Sequence, residues 1–449
     1  MRSEWRFTTV GDTVDINPSY RIKKGELAKK IAMEDLEPFT RKVKGYSIAE
    51  FNGGSRFQNG DTLLARITPC LENGKTAFVN VLEPNEIGFG STEFIVLRGK
   101  EGVTDNKFVY YLSISPEFRN VAIKSMTGTS GRQRAQIDAI SKWQYHLPPL
   151  QEQRELVALL SSLDDKIELN IAINKNLEEM AQALFKKWFV DFEFPNDDGE
   201  PYKSSGGEFE DSELGPIPKG WRPGTIGELG EVVGGATPSK KVDAYYTDRG
   251  IPWITPKDLS KTTNKYIARG EIDISEEGFN NSSVNLLPRG TVLFSSRAPI
   301  GYVAIAKNEV TTNQGFKSVI PLKHIGSEFV YYFLKSNVDT IESRASGSTF
   351  KEISGSEMRK VPVLIPPEDV LAKFNEIVEP LGRLIQKCEE ENETLSQLRD
   401  TLLPKLMSGE IRVPVEQEQV QAQEQEHSIY QPSYNDLPMA AENKADYQI

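Results

Sequence analysis

The chain has 449 residues, with 53 Lys and Arg against 65 Asp and Glu, a formal net charge of -12 and two cysteines. That length exceeds one ordinary core and fits two or three domains, and its apolar (38%) and charged (26%) fractions are those of a soluble globular protein. No apolar run approaches the ~20 residues of a membrane span, the start MRSEWRFTTV lacks the apolar core of a signal peptide, and two cysteines in unrelated contexts, Cys70 and Cys388, fit a reducing cytoplasm rather than a disulfide framework or metal site.

Residues 1–147 read as an α/β unit with short strands. Asp61–Thr68 and Thr76–Val81 are predicted strands joined by a turn around Asn73-Gly74. Helices are predicted over Asn106–Ser113 and Glu117–Lys124, and a short apolar strand, Trp143–Leu147, ends the unit. Pro148-Pro149 stops that strand and opens a long helix over 148–190. Its Leu156, Leu160, Leu163, Ile167, Asn170, Asn174, Leu177, Ala181, Leu184 and Trp188 recur at alternating steps of four and three, a heptad seam.

An acidic linker, 191–214, follows. Residues 215–365 then repeat the first unit: predicted strands Thr291–Ser296 and Tyr302–Ala306, helices Glu328–Lys335 and Val338–Arg344, and a closing strand Val361–Ile365. Pro366-Pro367 opens a second long helix, 366–412, with the seam Phe374, Val378, Leu381, Ile385, Cys388, Asn392, Leu395, Arg399, Leu402 and Leu406. The tail, 413–449, is rich in Gln and Glu and poor in aliphatics, and is expected to be disordered.

The two halves are copies. Leu147–Val190 aligns without a gap on Ile365–Ser408, 218 residues later, so that Leu163 falls on Leu381, Asn174 on Asn392 and Leu184 on Leu402. Upstream, Arg66 falls near Arg297, Pro69 near Pro299 and Gly74 near Gly301. An amphipathic helix of this length needs a partner for its stripe, and the nearest is its own repeat. The expected fold is therefore α/β: two α/β domains and two long helices forming an antiparallel coiled coil, a tandem repeat with approximate two-fold symmetry. Asn170, Asn174 and Asn392 would sit near the middle of that coil. There they either fix register, as polar seam residues do, or mark a solvated or partner-facing patch.

Charge divides unevenly along this plan. Linker and tail carry -8 and -6, the helical stretches -2 and -4, and each globular unit +4. An acidic chain thus holds two mildly basic domains, which removes the electrostatic objection to DNA binding.

No catalytic constellation appears. His146, His324 and His427 have no partner at ligand spacing, and there is no Walker loop, G-x-G-x-x-G or H-E-x-x-H, nor a nuclease or adenine-methyltransferase signature. What recurs is donor-rich loops at equivalent places. Early loops offer Asn17, Ser19, Tyr20 and Arg21 against Thr237, Ser239, Lys240 and Lys241. Hairpin regions offer Arg66, Thr68, Asn73 and Lys75 against Ser295, Ser296, Arg297, Asn313 and Gln314. The loop from Met126 offers Thr127, Thr129, Ser130, Arg132 and Gln133 against Ser346, Ser348, Thr349 and Lys351. Arg, Asn and Gln can read base edges, whereas Ser, Thr and Lys mostly hold phosphates. Any one such loop is an ordinary surface turn; their repetition in two basic units points to nucleic acid.

Several blocks resemble one family. MAQALFKKWFVDFEFP from Met180 and DSELGPIPKGW from Asp211 are similar to the centre of the specificity (S) subunits of type I restriction–modification enzymes. LPPLQEQRELVALLSSLDDKIELN from Leu147 resembles the start of their central helix, RITPCLENGKTAFV from Arg66 with GSTEFIVLR from Gly90 their first target recognition domain, and GGATPSK, IPWITPKDL, SSRAPIGYVAI and TNQGFKSV their second. The resemblance implies two target recognition domains, each reading half of a bipartite, asymmetric DNA sequence, and spacer helices that set the unread length between the halves. It implies no cofactor on this chain. Two modification (M) subunits would carry S-adenosylmethionine and methylate adenine N6, and restriction (R) subunits would cleave DNA with ATP and Mg. The chain departs from the family pattern at Ile365-Pro366-Pro367-Glu368-Asp369-Val370 and in its tail. A specificity subunit of a modification-only system, a diverged solitary methyltransferase or nuclease, and a coiled-coil scaffold are the alternatives.

Overall fold

The computed structural model describes residues 5–347 and 351–414. Ser348, Thr349, His427 and all but the first two residues of the tail lie outside the described residues. Backbone contacts divide the chain into two compact units: Met1–Lys166 with Leu395–Ile449, and Ile167–Thr394. Each long helix contributes to both, because the first is continuous over Leu150–Phe189 and the second over Glu368–Met407. Each begins directly behind its double proline and, at 40 residues, is about 60 Å long.

In unit one the strands Arg6–Thr9 and Gln144–Leu147 pair antiparallel, tying the start of the globular part to its end. A four-stranded antiparallel sheet has the order Val14–Ile16, Phe94–Gly99, Thr62–Ala65, Thr76–Phe78. A second sheet, absent from the sequence expectation, has the order Ser47–Glu50, Leu27–Ile31, Gly88–Gly90, Ser55–Phe57. Helix Asn106–Ile114 is capped by Asp105, which accepts from the amides of Lys107 and Phe108, and helix Pro116–Lys124 is capped by Ser115. The buried run Phe108–Leu112 packs with Leu156 and Leu160 of the first long helix and Leu403 and Leu406 of the second.

Unit two repeats the plan. Arg222–Thr225 pairs with Pro362–Ile365, and a five-stranded sheet has the order Gly230–Gly234, Lys317–Pro321, Val292–Ser296, Ile300–Ala306, Tyr266–Ile267. Helices Ser327–Ser336 and Val338–Ser343 follow as expected. Phe185 and Trp188 of the first long helix meet Phe374 of the second, with ring centroids 6.1 and 5.9 Å apart.

Within each unit the two helix segments run antiparallel. In unit two Asn170 meets Asn392 and Trp188 meets Phe374, so one number rises by 18 as the other falls by 18. Asn170 is fully buried, and its Nδ2 donates to Asn392 Oδ1 and Glu391 Oε2, both at 2.9 Å. This is the register-fixing alternative, realised by Asn170 and Asn392; Asn174 is half-buried and its Oδ1 has no hydrogen bond. In unit one Arg399 Nη1 meets Asp164 Oδ1 at 2.8 Å, both side chains buried, and Tyr111 donates to the other oxygen at 2.7 Å. Unit two has a counterpart, in which the hydroxyl of Tyr332 donates to Glu178 at 2.8 Å and accepts from Lys265 at 2.9 Å. There burial pushes the neighbouring Glu389 carboxyl up to about 7 against the amides of Lys265 and Tyr266 that donate to it. No seam residue is fully exposed.

The expected hairpin is shorter than its sequence suggests. Arg66 and Ile67 leave the strand partner of Thr76–Phe78 and run beside residues 134–135 instead, so residues 66–75 form a loop rather than a tight turn. The turn glycine, Gly74, has φ +80° and lies under the ring of Phe39, where a Cβ would collide.

Removing one member of a buried ion pair leaves the other charge uncompensated. Arg399→Ala is expected to cost ~3–5 kcal/mol, and the double substitution Asp164→Leu with Arg399→Leu less than that. Urea titration of the full chain reads both, and a double variant less stable than Arg399→Ala would contradict the assignment.

Candidate nucleic-acid interface

In unit one the strand Thr62–Ala65 runs out into Arg66-Ile67-Thr68, which lies against the end of the second loop. Thr68 N donates to Gln133 O at 3.0 Å and Ala135 N to Arg66 O at 2.8 Å. That loop is closed by reciprocal bonds between Thr127 and Arg134, at 3.1 and 2.9 Å, and carries Thr129, Ser130 and Arg132 exposed at its tip. Arg134, absent from the sequence candidates, is gripped by Glu93: Nε lies 3.0 Å from both carboxylate oxygens and Nη2 2.6 Å from one. These bonds hold the Arg134 pKa above its ordinary value. Arg66 Nε approaches the same carboxylate at 4.0 Å and makes no hydrogen bond of its own. Seven sequence candidates thus converge: Arg66, Thr68, Thr127, Thr129, Ser130, Arg132 and Gln133. The Thr68 hydroxyl is buried among them without a partner.

The remaining candidates of unit one lie elsewhere. Asn17 Oδ1 accepts from Val96 N at 2.9 Å, and Lys75 Nζ donates to Met33 O at 2.8 Å. Tyr20 donates to Asp61 at 3.2 Å, and Arg98 Nε to the same oxygen at 2.5 Å. Asp61 is fully buried, and burial pushes its carboxyl up. It precedes the strand at the end away from Arg66, so Tyr20 is a structural residue removed from the loop cluster. Ser19, Arg21 and Asn73 are exposed.

Unit two presents the same backbone frame. Ile353 N donates to Ser296 O at 3.1 Å, as Ala135 does to Arg66, and Ser296 N donates to Gly315 O at 2.7 Å, as Arg66 N does to Glu93 O at 2.9 Å. Thr68-Pro69 and Ala298-Pro299 are both cis. By this frame the counterpart of Arg66 is Ser296, one residue before Arg297, and the counterpart of Arg134 is Glu352. Glu352 pairs with Arg297 and Lys317, each at 3.3 Å. Both units therefore place two cations on one carboxylate, from different positions.

These frames sit in a chain with relatives. The type I restriction modification DNA specificity domain model matches residues 2–179 and 218–399. The chain belongs to the specificity subunits of type I restriction–modification systems. The MjaIX specificity subunit of Methanocaldococcus jannaschii is 42% identical over 193 residues, which are 42% of this chain and 44% of that protein, so the alignment spans less than half of that relative. The HindI specificity subunit of Haemophilus influenzae is 28% identical over 410 residues, 79% of this chain and 87% of the relative. The crystal structure of a type I restriction–modification S subunit from M. genitalium matches with a TM-score of 0.52 at 16% identity, covering 90% of this chain and 96% of that one, a likeness of fold. A specificity subunit is the recognition component, not the catalytic one. Among the described residues no cluster is placed to hold a metal ion, and no helix is long and apolar enough to cross a membrane.

Not every candidate of unit two can face DNA in this subunit. Ser295 and Ser296 are fully buried. Ser295 Oγ donates to Pro299 O and accepts from Tyr302 N, both at 2.8 Å, so it closes the turn and has no free hydrogen to offer. Asn313 Oδ1 accepts from Gly315 N at 2.8 Å, which shapes the loop. Thr237 donates to Gln314, joining the early loop to this one. Ser239, Lys240 and Lys241 are exposed, Ser346 is exposed and paired through its backbone to Glu352, and Lys351 reaches Glu342 at 3.7 Å. Glu93, Arg134, Lys317 and Glu352 escaped sequence reading because acid and base are brought together across 35 to 41 residues. The only local signal was a further arginine closing the loop MTGTSGRQR. Ser295→Ala is expected to cost ~1–3 kcal/mol of stability while leaving DNA affinity at fixed salt unchanged. Denaturation and filter binding of the complex check it; lost affinity at unchanged stability would contradict the burial argument.

Proposed function

We propose that residues 1–147 and 215–365 are target recognition domains, each reading one half of a bipartite, asymmetric DNA sequence. The stretches 148–190 and 366–412 are spacer helices that set the number of unread base pairs, and 191–214 is the linker that returns the chain. The observation that carries this reading is one backbone frame bearing different polar side chains: Glu352 stands in unit two where Arg134 stands in unit one, and the buried Ser296 where Arg66 stands. A shared frame suits two equivalent dockings on a duplex, and unlike side chains read unlike sequences.

The helices also favour two copies of one partner. Besides the buried seam, each exposes apolar side chains at equivalent places, Leu159 and Met180 on the first and Ile377 and Leu398 on the second, at the same 218-residue spacing. On this reading two M subunits dock at these equivalent places and supply S-adenosylmethionine for adenine N6 methylation. R subunits add ATP- and Mg-dependent cleavage. The chain itself supplies recognition and geometry.

Exchanging residues 1–147 for those of another specificity subunit is expected to alter one half-sequence and leave the other half and the spacer intact. Genome-wide N6-methyladenine mapping with and without the exchange reads all three. A change in both halves would refute modular reading.

A further inference from the structure

The grip of Glu93 on Arg134 leaves a defined part of the guanidinium open. A guanidinium has one edge made by Nε and Nη2 and one end made by Nη1 and Nη2. Glu93 occupies the edge, through Nε at 3.0 Å and Nη2 at 2.6 Å. The end remains: Nη2 keeps a second hydrogen there, and Nη1 is engaged by the carbonyl of Arg132 at 3.4 Å, the outer limit of hydrogen bonding. The Arg134 side chain is 42% exposed, at the base of a loop whose tip bears Thr129, Ser130 and Arg132.

A two-donor fork fixed in direction is the complement of two neighbouring acceptors. Phosphate oxygens and the N7/O6 pair of guanine both qualify. The carboxylate decides between them: an anion in contact with the guanidinium repels a phosphate but not a neutral base edge. Adenine sets a donor beside N7, and cytosine offers a donor, so neither satisfies the fork. Being held by a short bidentate pair, the side chain has little rotamer freedom left to lose on docking. From this geometry we infer that Arg134 reads a guanine in the major groove of the half-site bound by unit one, and that Glu93 is its positioning residue.

Unit two has no such fork at this place. Its counterpart position holds Glu352, and the nearest guanidinium, Arg297, meets that carboxylate through Nη1 alone at 3.3 Å. The contact inferred for Arg134 therefore has no arginine counterpart at the equivalent position of unit two. This assignment rests on the reading of residues 1–147 as a half-site reader.

The test uses the full S subunit assembled with its M subunits, in four forms: unaltered, Arg134→Ala, Arg134→Lys and Glu93→Gln. Residues 1–147 are exchanged as a control. N6-methyladenine mapping gives the motif, and binding to duplexes carrying each base pair at each motif position gives discrimination. Arg134→Ala is expected to lose about tenfold or more discrimination at a single G·C pair of one half-site, with the other half unchanged. Arg134→Lys does not restore it, because a lysine has no fork. Glu93→Gln weakens discrimination at that same pair, an effect a merely structural role would not confine to one base. Should Arg134→Ala fail to fold, the other two variants carry the test. The inference is overturned if the affected position is not G·C, if the variants weaken all duplexes evenly, or if the motif is unchanged. If the control exchange also leaves both half-sequences unchanged, the reading of residues 1–147 fails instead.

Discussion

The antiparallel pairing of the two long helices is the constraint on which the rest depends. Apolar heptads alone would tolerate a slip by a turn or more. The buried Asn170–Asn392 contact in unit two and the buried Asp164–Arg399 pair in unit one do not, because a slipped helix would leave an amide or a charge unpartnered in the interior. Buried carboxylates of the first helix also reach the globular parts: Tyr111 shares Asp164 with Arg399, and Tyr332 shares Glu178 with Lys265. Each globular fold is thereby clamped to the helix segments of its own unit by a tyrosine, a carboxylate and a cation.

Internal duplication made much of this legible in advance. A seam sustained over more than four heptads fixes helix, stripe and need of a partner, and the double prolines fix where each helix begins. The helices expected over Asn106–Ser113 and Glu328–Lys335 form as Asn106–Ile114 and Ser327–Ser336. The second sheet of unit one, and in unit two a second sheet of order Tyr246–Thr247, Ile272–Ile274, Ile251–Ile254, Thr311–Thr312, were not legible, because their strands are two to five residues long, too short for a period of two to show. Side-chain placement was less legible still. Ser295 and Ser296 look like donors in a loop, yet they end a buried strand and are fully enclosed. Tyr20 looks like a groove reader, yet it satisfies a buried aspartate. In the cluster that does form, both charged pairs, Arg66–Glu93 and Arg134–Glu93, join residues far apart in sequence, and only folding shows that Glu93 meets Arg134.

On the proposed function, the duplication lets a repeat serve an asymmetric end. Backbone bonds at Arg66 and Ser296, and at Ala135 and Ile353, hold the frame constant. Side chains at the loop junction are then free to diverge, because the frame does not depend on them. Reversal from Arg134 to Glu352 is the clearest case. Each keeps a counter-charge, Glu93 for one and Arg297 with Lys317 for the other, so neither unit carries an uncompensated charge there.

On the proposed function, the paired helices set the distance between two half-sequences that the globular domains read independently. One heptad added between Leu163 and Leu177, with a matching heptad between Ile385 and Arg399, lengthens the pair by about 10 Å while keeping its seam in phase, roughly three base pairs of duplex. The decisive measurement is the N6-methyladenine motif written by that variant. The expected motif has both half-sequences unaltered and a spacer longer by about three base pairs; an unchanged spacer, or a change in either half-sequence, would contradict the spacer role of the helices.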